Sequence, residues 1–229
     1  MKPKLEVNAD DGVWRSWLAR AVWDREVEGS SPFTPTTIET RKTAGMAVFC
    51  YDIPMNTLIF GYGSLIGLSS TQATAPEVKK LRAAYIRNYT RSFSLHDPVG
   101  YTDENLDVAN IPFCGLDVQP SSNPEDRVNG VVFAVNDVDL QAMLIREQEY
   151  ETPMVAVFDF ATNEQIGKAM VFSACKNNGS YDQTNPAQVR YLEDMLAGAK
   201  SFGEEFYQEF IQTTYIGDKS LAEMPDLIK

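Results

Sequence analysis

Phe60-Gly61-Tyr62-Gly63-Ser64-Leu65-Ile66 follows without a break on the β-prone run Thr57-Leu58-Ile59-Phe60. Together they read as a buried strand that runs into a tight glycine loop. Glycine lets the backbone approach a ligand closely. Successive N–H groups exposed at such a turn can form a nest for a carboxylate or an oxyanion. A tight turn with no ligand is the other reading of the same residues.

Outward from the loop, Ser69 to Pro76 reads as a loop. Lys80 to Leu95 fits two periods: Tyr85, Tyr89 and Phe93 fall at helical spacing, while Tyr85, Arg87, Tyr89, Arg91 and Phe93 alternate as in a strand. Asp97 to Asn110 is polar and predicts an excursion, and Ile111 to Val118 predicts a strand closed by the turn-rich Gln119 to Asp126. Gly130 to Val135, GVVFAV, is a clean strand. Asn136 or Asp137 can then cap a helix running to about Glu147. Met154 to Phe160 and Ala169 to Ala174 predict a strand pair around a turn at Ala161 to Gly167, followed by a loop from Asn177 to Pro186. Helices are expected near Ala187 to Ala199 and Gly203 to Thr213, the first carrying an apolar stripe of Val189, Leu192, Met195 and Leu196. Many strands with few helices imply an α+β domain with a closed or strongly curved sheet.

The chain has 229 residues, enough for one medium domain with an extension, and a formal net charge of −12. That charge argues against a nucleic-acid surface and fits a small-molecule substrate. The basic cluster Lys79, Lys80, Arg82, Arg87 and Arg91 interleaves with apolar residues and reads as one solvated face. No stretch approaches the roughly 18 apolar residues of a membrane span. Cys50, Cys114 and Cys175 have no metal-like spacing, and an odd count without a secretory signal fits the reducing cytoplasm. Cys114 and Cys175 sit in apolar runs and are expected in the core. His96 is the one histidine, which weakens Cys-His, Ser-His-Asp and His-rich zinc proposals and leaves acid–base chemistry mainly to carboxylates.

Residues 1–45 differ from the rest: they hold Trp14, Trp17 and Trp23, are nearly charge-neutral, and end in a Ser/Thr/Pro-rich stretch. Glu28-Gly29-Ser30-Ser31-Pro32-Phe33 can be encoded by GAG GGT TCG AGT CCC TTC, which contains GGTTCGAGTCC, a string like the T-arm of a transfer-RNA gene. The expectation is a translated tRNA gene ahead of a natural start at Met46 or Met55. A genuine, poorly ordered extension is the alternative.

The second chemical feature is Leu144-Ile145-Arg146-Glu147-Gln148-Glu149-Tyr150-Glu151. Acids at a helix C-terminus oppose the macrodipole, so local preference does not explain them and a functional carboxylate would explain one. Glu149 and Glu151 read as surface acids.

With the glycine loop at Phe60 to Ile66, the strand Leu81-Arg82-Ala83-Ala84-Tyr85 through Arg91-Ser92-Phe93, the strand Gly130-Val131-Val132-Phe133 and the segment Arg146-Glu147 with Tyr150, the chain resembles the gamma-glutamylcyclotransferase superfamily, in its ChaC-type branch. The resemblance spans roughly Thr57 to Phe206. The branch's usual Trp-Asn-Pro-like continuation of the loop is here Gly67-Leu68-Ser69, and the glycines before the family's tyrosine are Gln148 and Glu149.

The resemblance implies a mixed β-barrel with flanking helices over residues 55–213, with 214–229 as a C-terminal tail, and it favours a strand over Lys80 to Leu95. It implies a lyase that cuts a gamma-glutamyl amine or peptide, glutathione or another, into 5-oxoproline and a free amine. No metal or organic cofactor is implied, because the substrate's own alpha-amine attacks its gamma-carbonyl and proximity supplies much of the rate. Glu147 would be the general base and later the acid. The backbone around Gly63, Ser64 and Leu65 would hold the glutamyl end, Tyr62 and Tyr150 would line the pocket, and Arg82 or Arg87 would meet a second carboxylate; core packing with a satisfied hydroxyl is the other reading of both tyrosines. A non-catalytic ligand-binding or regulatory protein on the same fold, with Glu147 on the surface, is the alternative. A related transferase acting on gamma-glutamylamines is another. Neither nucleic acid nor membrane is expected as a partner.

Overall fold

A computed structural model describes residues 56–103, 108–147, 150–174 and 178–228. The expectations for residues 1–45, Met46, Met55, Cys50, Gln148, Glu149 and Cys175 lie outside them.

Strand β1 (Thr57–Gly61) delivers the glycine loop, whose Ser64–Ile66 forms a 3-10 turn. Helix α1 (Leu68–Thr74) follows, then β2 (Arg82–Arg87), β3 (Tyr89–Asp103), β4 (Val108–Pro120) and β5 (Arg127–Val135). Helix α2 (Asp137–Arg146) leads to the short β6 (Tyr150–Glu151), then β7 (Met154–Asp159), β8 (Gln165–Val171) and β9 (Ser173–Ala174). Helices α3 (Pro186–Lys200) and α4 (Glu204–Gln212) precede β10 (Thr214–Ile216) and β11 (Lys219–Ser220).

The fold is α+β. Its centre is a closed barrel in the order β1-β5-β2-β7-β8, sealed where β8 pairs in parallel with β1, Ile59 against Met170. A second sheet runs β11-β10-β3-β4, and β6 pairs with β9 alone. Strands β1 and β5 are buried on both faces. Ile59, Val131, Phe133 and Val135 pack outward with Met143 of α2, while Phe60, Val128 and Val132 pack with Leu192, Met195 and Phe206 of α3 and α4. Such strands read as continuous apolar runs, as TLIF and GVVFAV do, because successive side chains leave on opposite faces and both faces are covered.

Several expectations need correction. Lys80 to Leu95 is not one strand: Asn88, at φ 62°, breaks it, so that β2 joins the barrel and β3 the second sheet. Asparagine tolerates that left-handed conformation, and its N–H and carbonyl are bonded to Asp126 and Ser121 at 2.7 Å. The polar stretch from Asp97 is no excursion at its ends, because β3 and β4 stay paired out to Asp103 and Val108. Ser69 to Pro76 is largely helix α1, docked by the Thr71 hydroxyl donating to the Leu65 carbonyl at 2.9 Å. Ala169 to Ala174 is divided at Phe172 between β8 and β9. The basic cluster is not one solvated face: Lys79, Lys80, Arg82 and Arg87 are exposed, but Arg91 is wholly buried. Residues 214–228 pack against the domain, with β10 beside β3, Leu221 buried, and Leu227 and Ile228 against the main core.

Candidate active site

The loop after β1 turns back on its own strand. A Cβ on Gly61 would stand 2.6 Å from the Leu65 Cβ, so only glycine fits there without displacing the turn. Ile66 N–H donates to the Gly63 carbonyl at 3.0 Å and Gly67 N–H to the Ser64 carbonyl at 3.3 Å. As the opening residues of a 3-10 turn, Ser64 and Leu65 present N–H groups that have no partner inside the turn. Above Gly63 stands Tyr191 of α3: its hydroxyl lies 3.2 Å from where a Gly63 Cβ would sit, and it accepts from the Leu116 N–H at 3.2 Å.

Tyr62 points into the domain. Its buried hydroxyl donates to the Phe172 carbonyl at 2.5 Å. Burial pushes its pKa well up, and the charges of Asp117, Tyr150, Glu147 and Tyr191 push it further, in that order. The Tyr62 hydroxyl therefore stays a neutral donor at physiological pH.

Glu147 is the residue that ends α2, and its side chain is only 13% exposed. Arg146, the last residue of that helix, holds it: Arg146 Nε lies 3.1 Å from Glu147 Oε1. The same guanidinium donates to Ser64 Oγ at 3.3 Å and to Thr74 Oγ1 at 3.0 Å. Arg146 thus ties the carboxylate to the glycine loop and to α1. A cation in the last turn also favours the helix dipole that a carboxylate there opposes. The chain then folds back, with Tyr150 N–H donating to the Glu147 carbonyl at 3.0 Å, and Tyr150 pairs with Ala174.

Asp117 of β4 is buried. It accepts from the Ala174 N–H at 2.8 Å and from Gln119 Nε2 at 2.5 Å. The short segment from Phe172 to Ala174 therefore meets Tyr62, Asp117 and Tyr150 at once. Behind the loop, the buried Arg91 donates to the carbonyls of Tyr62 at 3.3 Å, Asn129 at 2.6 Å and Phe210 at 3.1 Å, and to the hydroxyls of Thr213 and Thr214 at 3.2 and 2.8 Å. It also reaches Asn129 Oδ1 at 3.0 Å and stacks over Phe210. Burial lowers its pKa to about 9, which leaves it a cation at neutral pH.

Of the residues expected from sequence, Tyr62, Glu147 and Tyr150 come together, and Ser64 joins Glu147 through Arg146. The Leu65 side chain packs with Tyr150 in the outer core cluster, and Gly63 lies under Tyr191. Arg82 and Arg87 are engaged elsewhere: Arg82 pairs with Asp159 at 2.7 Å, and Arg87 stacks over Phe158. Sequence reasoning missed Asp117 and Tyr191. An acid inside the apolar run FCGLDV was the available signal for Asp117. Cys114 is buried and its thiol is pushed up to about 12, out of reach of thiolate chemistry at neutral pH. Among the described residues no group of three or more His, Cys, Asp or Glu is placed to hold a metal ion. Nor is any helix among them long and apolar enough to cross a membrane.

The ChaC-like protein family matches residues 57–205. No curated protein matches the chain. Among solved structures, a gamma-glutamyl cyclotransferase superposes with a TM-score of 0.51 at 19% identity, covering 76% of this chain and 98% of its own. An uncharacterized protein from Homo sapiens superposes with a TM-score of 0.54 at 18% identity over the same shares of the two chains. At such identities the likeness is one of fold.

Proposed function

The chain belongs to the ChaC-like protein family, and on that premise we propose that it is a gamma-glutamylcyclotransferase that releases 5-oxoproline from a gamma-glutamyl amine or peptide. One observation carries the reading: Arg146 contacts both Glu147 and Ser64, so a carboxylate and the N–H cradle of the loop are held at one fixed separation. Cyclisation needs that pairing of a proton acceptor with an oxyanion site.

In the proposed reaction the glutamyl end lies on the loop, its carboxylate and gamma-carbonyl toward the N–H groups of Ser64 and Leu65. Glu147 takes a proton from the alpha-ammonium. The freed amine attacks the gamma-carbonyl carbon, forming a carbon–nitrogen bond and a tetrahedral oxyanion that the loop amides stabilise. Collapse breaks the bond to the leaving nitrogen, which gains two protons, the one held by Glu147 and the one the attacking nitrogen sheds on becoming the lactam N–H, and so departs as an ammonium. The products are 5-oxoproline and a free amine, with no net proton consumed. Tyr62 and Tyr150 wall the pocket, with Tyr62 kept neutral by its surroundings.

A binding module on the same fold would leave Glu147 turned to solvent, whereas its side chain is 13% exposed and paired. The substrate class follows from assaying 5-oxoproline release from glutathione and a panel of gamma-glutamyl amines. Release from one of them is expected; a well-folded protein that releases none from the whole panel overturns the reading.

A further inference from the structure

We propose that the outer face of the barrel carries a separate binding site, in which Arg127, Arg87 and Lys168 hold a ligand with two or more linked phosphoryl groups. The inference does not depend on the cyclisation proposed above. The Arg87–Arg127 pair lies four residues further along β2 than Ala83, whose partner Val131 also pairs with Gly61 at the glycine loop. At about 3.3 Å per residue that is a separation of about 13 Å.

Strand register places the three cations in one row. Arg87 stands directly opposite Arg127 in the β2–β5 pair. On the other side of β2, Ile86 pairs with Val157, so the next position sets Arg87 against Ala156. Ala156 in turn pairs with Lys168 of β8. Successive side chains leave a strand on opposite faces, so this row shares its face with Tyr85 and Phe158, two residues along β2 and β7. The intervening Ile86, Val128 and Val157 pack in the main core, so the row faces away from it.

Like charges directly opposite on neighbouring strands repel. The chain has a net charge of −12, yet among the described residues no acid pairs with Arg87 or Lys168. Glu209 of α4 pairs with Arg127 alone, and Asp126 is bonded to Ser121 and Asn123. All three cations are exposed. The two arginines are nonetheless held in place. Arg87 lies 4.1 Å over the Phe158 ring and donates to the Tyr85 hydroxyl at 2.9 Å, Arg127 lies 4.9 Å over the Tyr85 ring, and the two rings stack at 5.3 Å. Guanidiniums fixed in this way lose little further freedom when a ligand arrives. Two forks side by side suit one tetrahedral phosphoryl group. Lys168, two strands from Arg87 and about 10 Å across the sheet, suits another as a point charge. With the reach of the side chains, a chain of linked phosphoryl groups spans that gap and a single phosphate does not.

The test is calorimetric titration of the full chain with inorganic tripolyphosphate, ATP and orthophosphate at low ionic strength, where exposed charges are least screened. The native protein is expected to bind tripolyphosphate about tenfold or more tighter than orthophosphate, as for added hydrogen bonds between charged groups. Arg87→Gln should weaken both by about tenfold. Lys168→Gln leaves the stacked rings untouched, so it keeps the test open should the arginine variant fail to fold. It should weaken tripolyphosphate by about fivefold and leave orthophosphate within about twofold of native. Lys80→Gln, at an exposed lysine outside the row, is the control and should change neither by more than about twofold. ATP binding at least as tightly as tripolyphosphate would support the site and assign it to a nucleotide tail; weaker binding of ATP would support it for free condensed phosphate. Absence of binding of both chains at millimolar concentration would overturn the proposal. So would equal losses in Lys168→Gln and Lys80→Gln, which would make the attraction one of general charge.

Discussion

Arg146 reaches Ser64 and Glu147 with one guanidinium, donating to the Ser64 hydroxyl at 3.3 Å while its Nε lies 3.1 Å from the Glu147 carboxylate. The residue adjacent to the proposed base thus sets the distance between that base and the loop. Arg146→Met should lower kcat roughly 10- to 100-fold through misplacement of Glu147, and the unfolding free energy should fall by about 3 kcal/mol because a largely buried carboxylate loses its cation. Arg146→Lys keeps the charge but not the fork, and should fall between the two. Steady-state kinetics alongside urea unfolding separates the effects; equal kcat in all three proteins would contradict the positioning role.

Arg91 is buried among carbonyls and hydroxyls and joins the Tyr62 carbonyl to the end of α4 through the Phe210 carbonyl. Replacing it with methionine fills the space but leaves several buried acceptors without a donor, at a cost of about 3 kcal/mol or more. The urea midpoint should fall accordingly, and a shift within about 0.5 kcal/mol would show that those acceptors are not dependent on Arg91.

The turn after β1 tolerates no side chain at its start. Gly61→Ala places a Cβ 2.6 Å from that of Leu65 and should cost about 1–3 kcal/mol, with a matching loss of activity. Gly67→Ala is the control: its nearest neighbours stand at 3.8 Å and its φ is −79°, so a change within about 0.5 kcal/mol is expected. Thermal unfolding of the two variants checks the contrast.

Tyr62 gives an alkaline signature. Its folded pKa lies well above the unfolded value of about 10. The unfolded chain therefore releases this proton first, and above pH 10 the native state binds more protons than the unfolded one. The stability contributed by the raised pKa is fully present below pH 10 and is lost as pH climbs toward the folded value. Tyr62→Phe, though less stable at pH 7 for want of the bond to Phe172, should lose stability less steeply above pH 10. Parallel slopes for the two proteins would contradict the assignment.

The loop Phe60–Ile66, the flanking strands and the later helices were legible because their signals are local: apolar runs, the Asn136 cap, the stripe on α3. Helix α1 was not, since LSSTQAT carries no apolar stripe and owes its place to contacts such as Thr71 with Leu65. The arms of β3 and β4 hid in polar sequence because their ladder comes from pairing with each other. The pair Arg146 and Glu147 was found through family likeness, yet its tie to Ser64 spans 82 residues and no spacing rule announces it. Asp117 and Tyr191 enter the site only once β4 packs against β9 and α3. Arg91 shared an alternating pattern with solvated arginines, and it is enclosed by groups distant in sequence, Asn129 of β5, Phe210 of α4 and Thr214 of β10.

Glu147 is the base proposed for gamma-glutamyl cyclisation. Glu147→Gln keeps the shape of the side chain and removes its basicity, and 5-oxoproline release by the two proteins from the best panel substrate is the direct comparison. A fall of about 100-fold or more in kcat with the fold intact is predicted, in line with the loss of a general base. Release at the native rate by the variant would rule out Glu147 as the base.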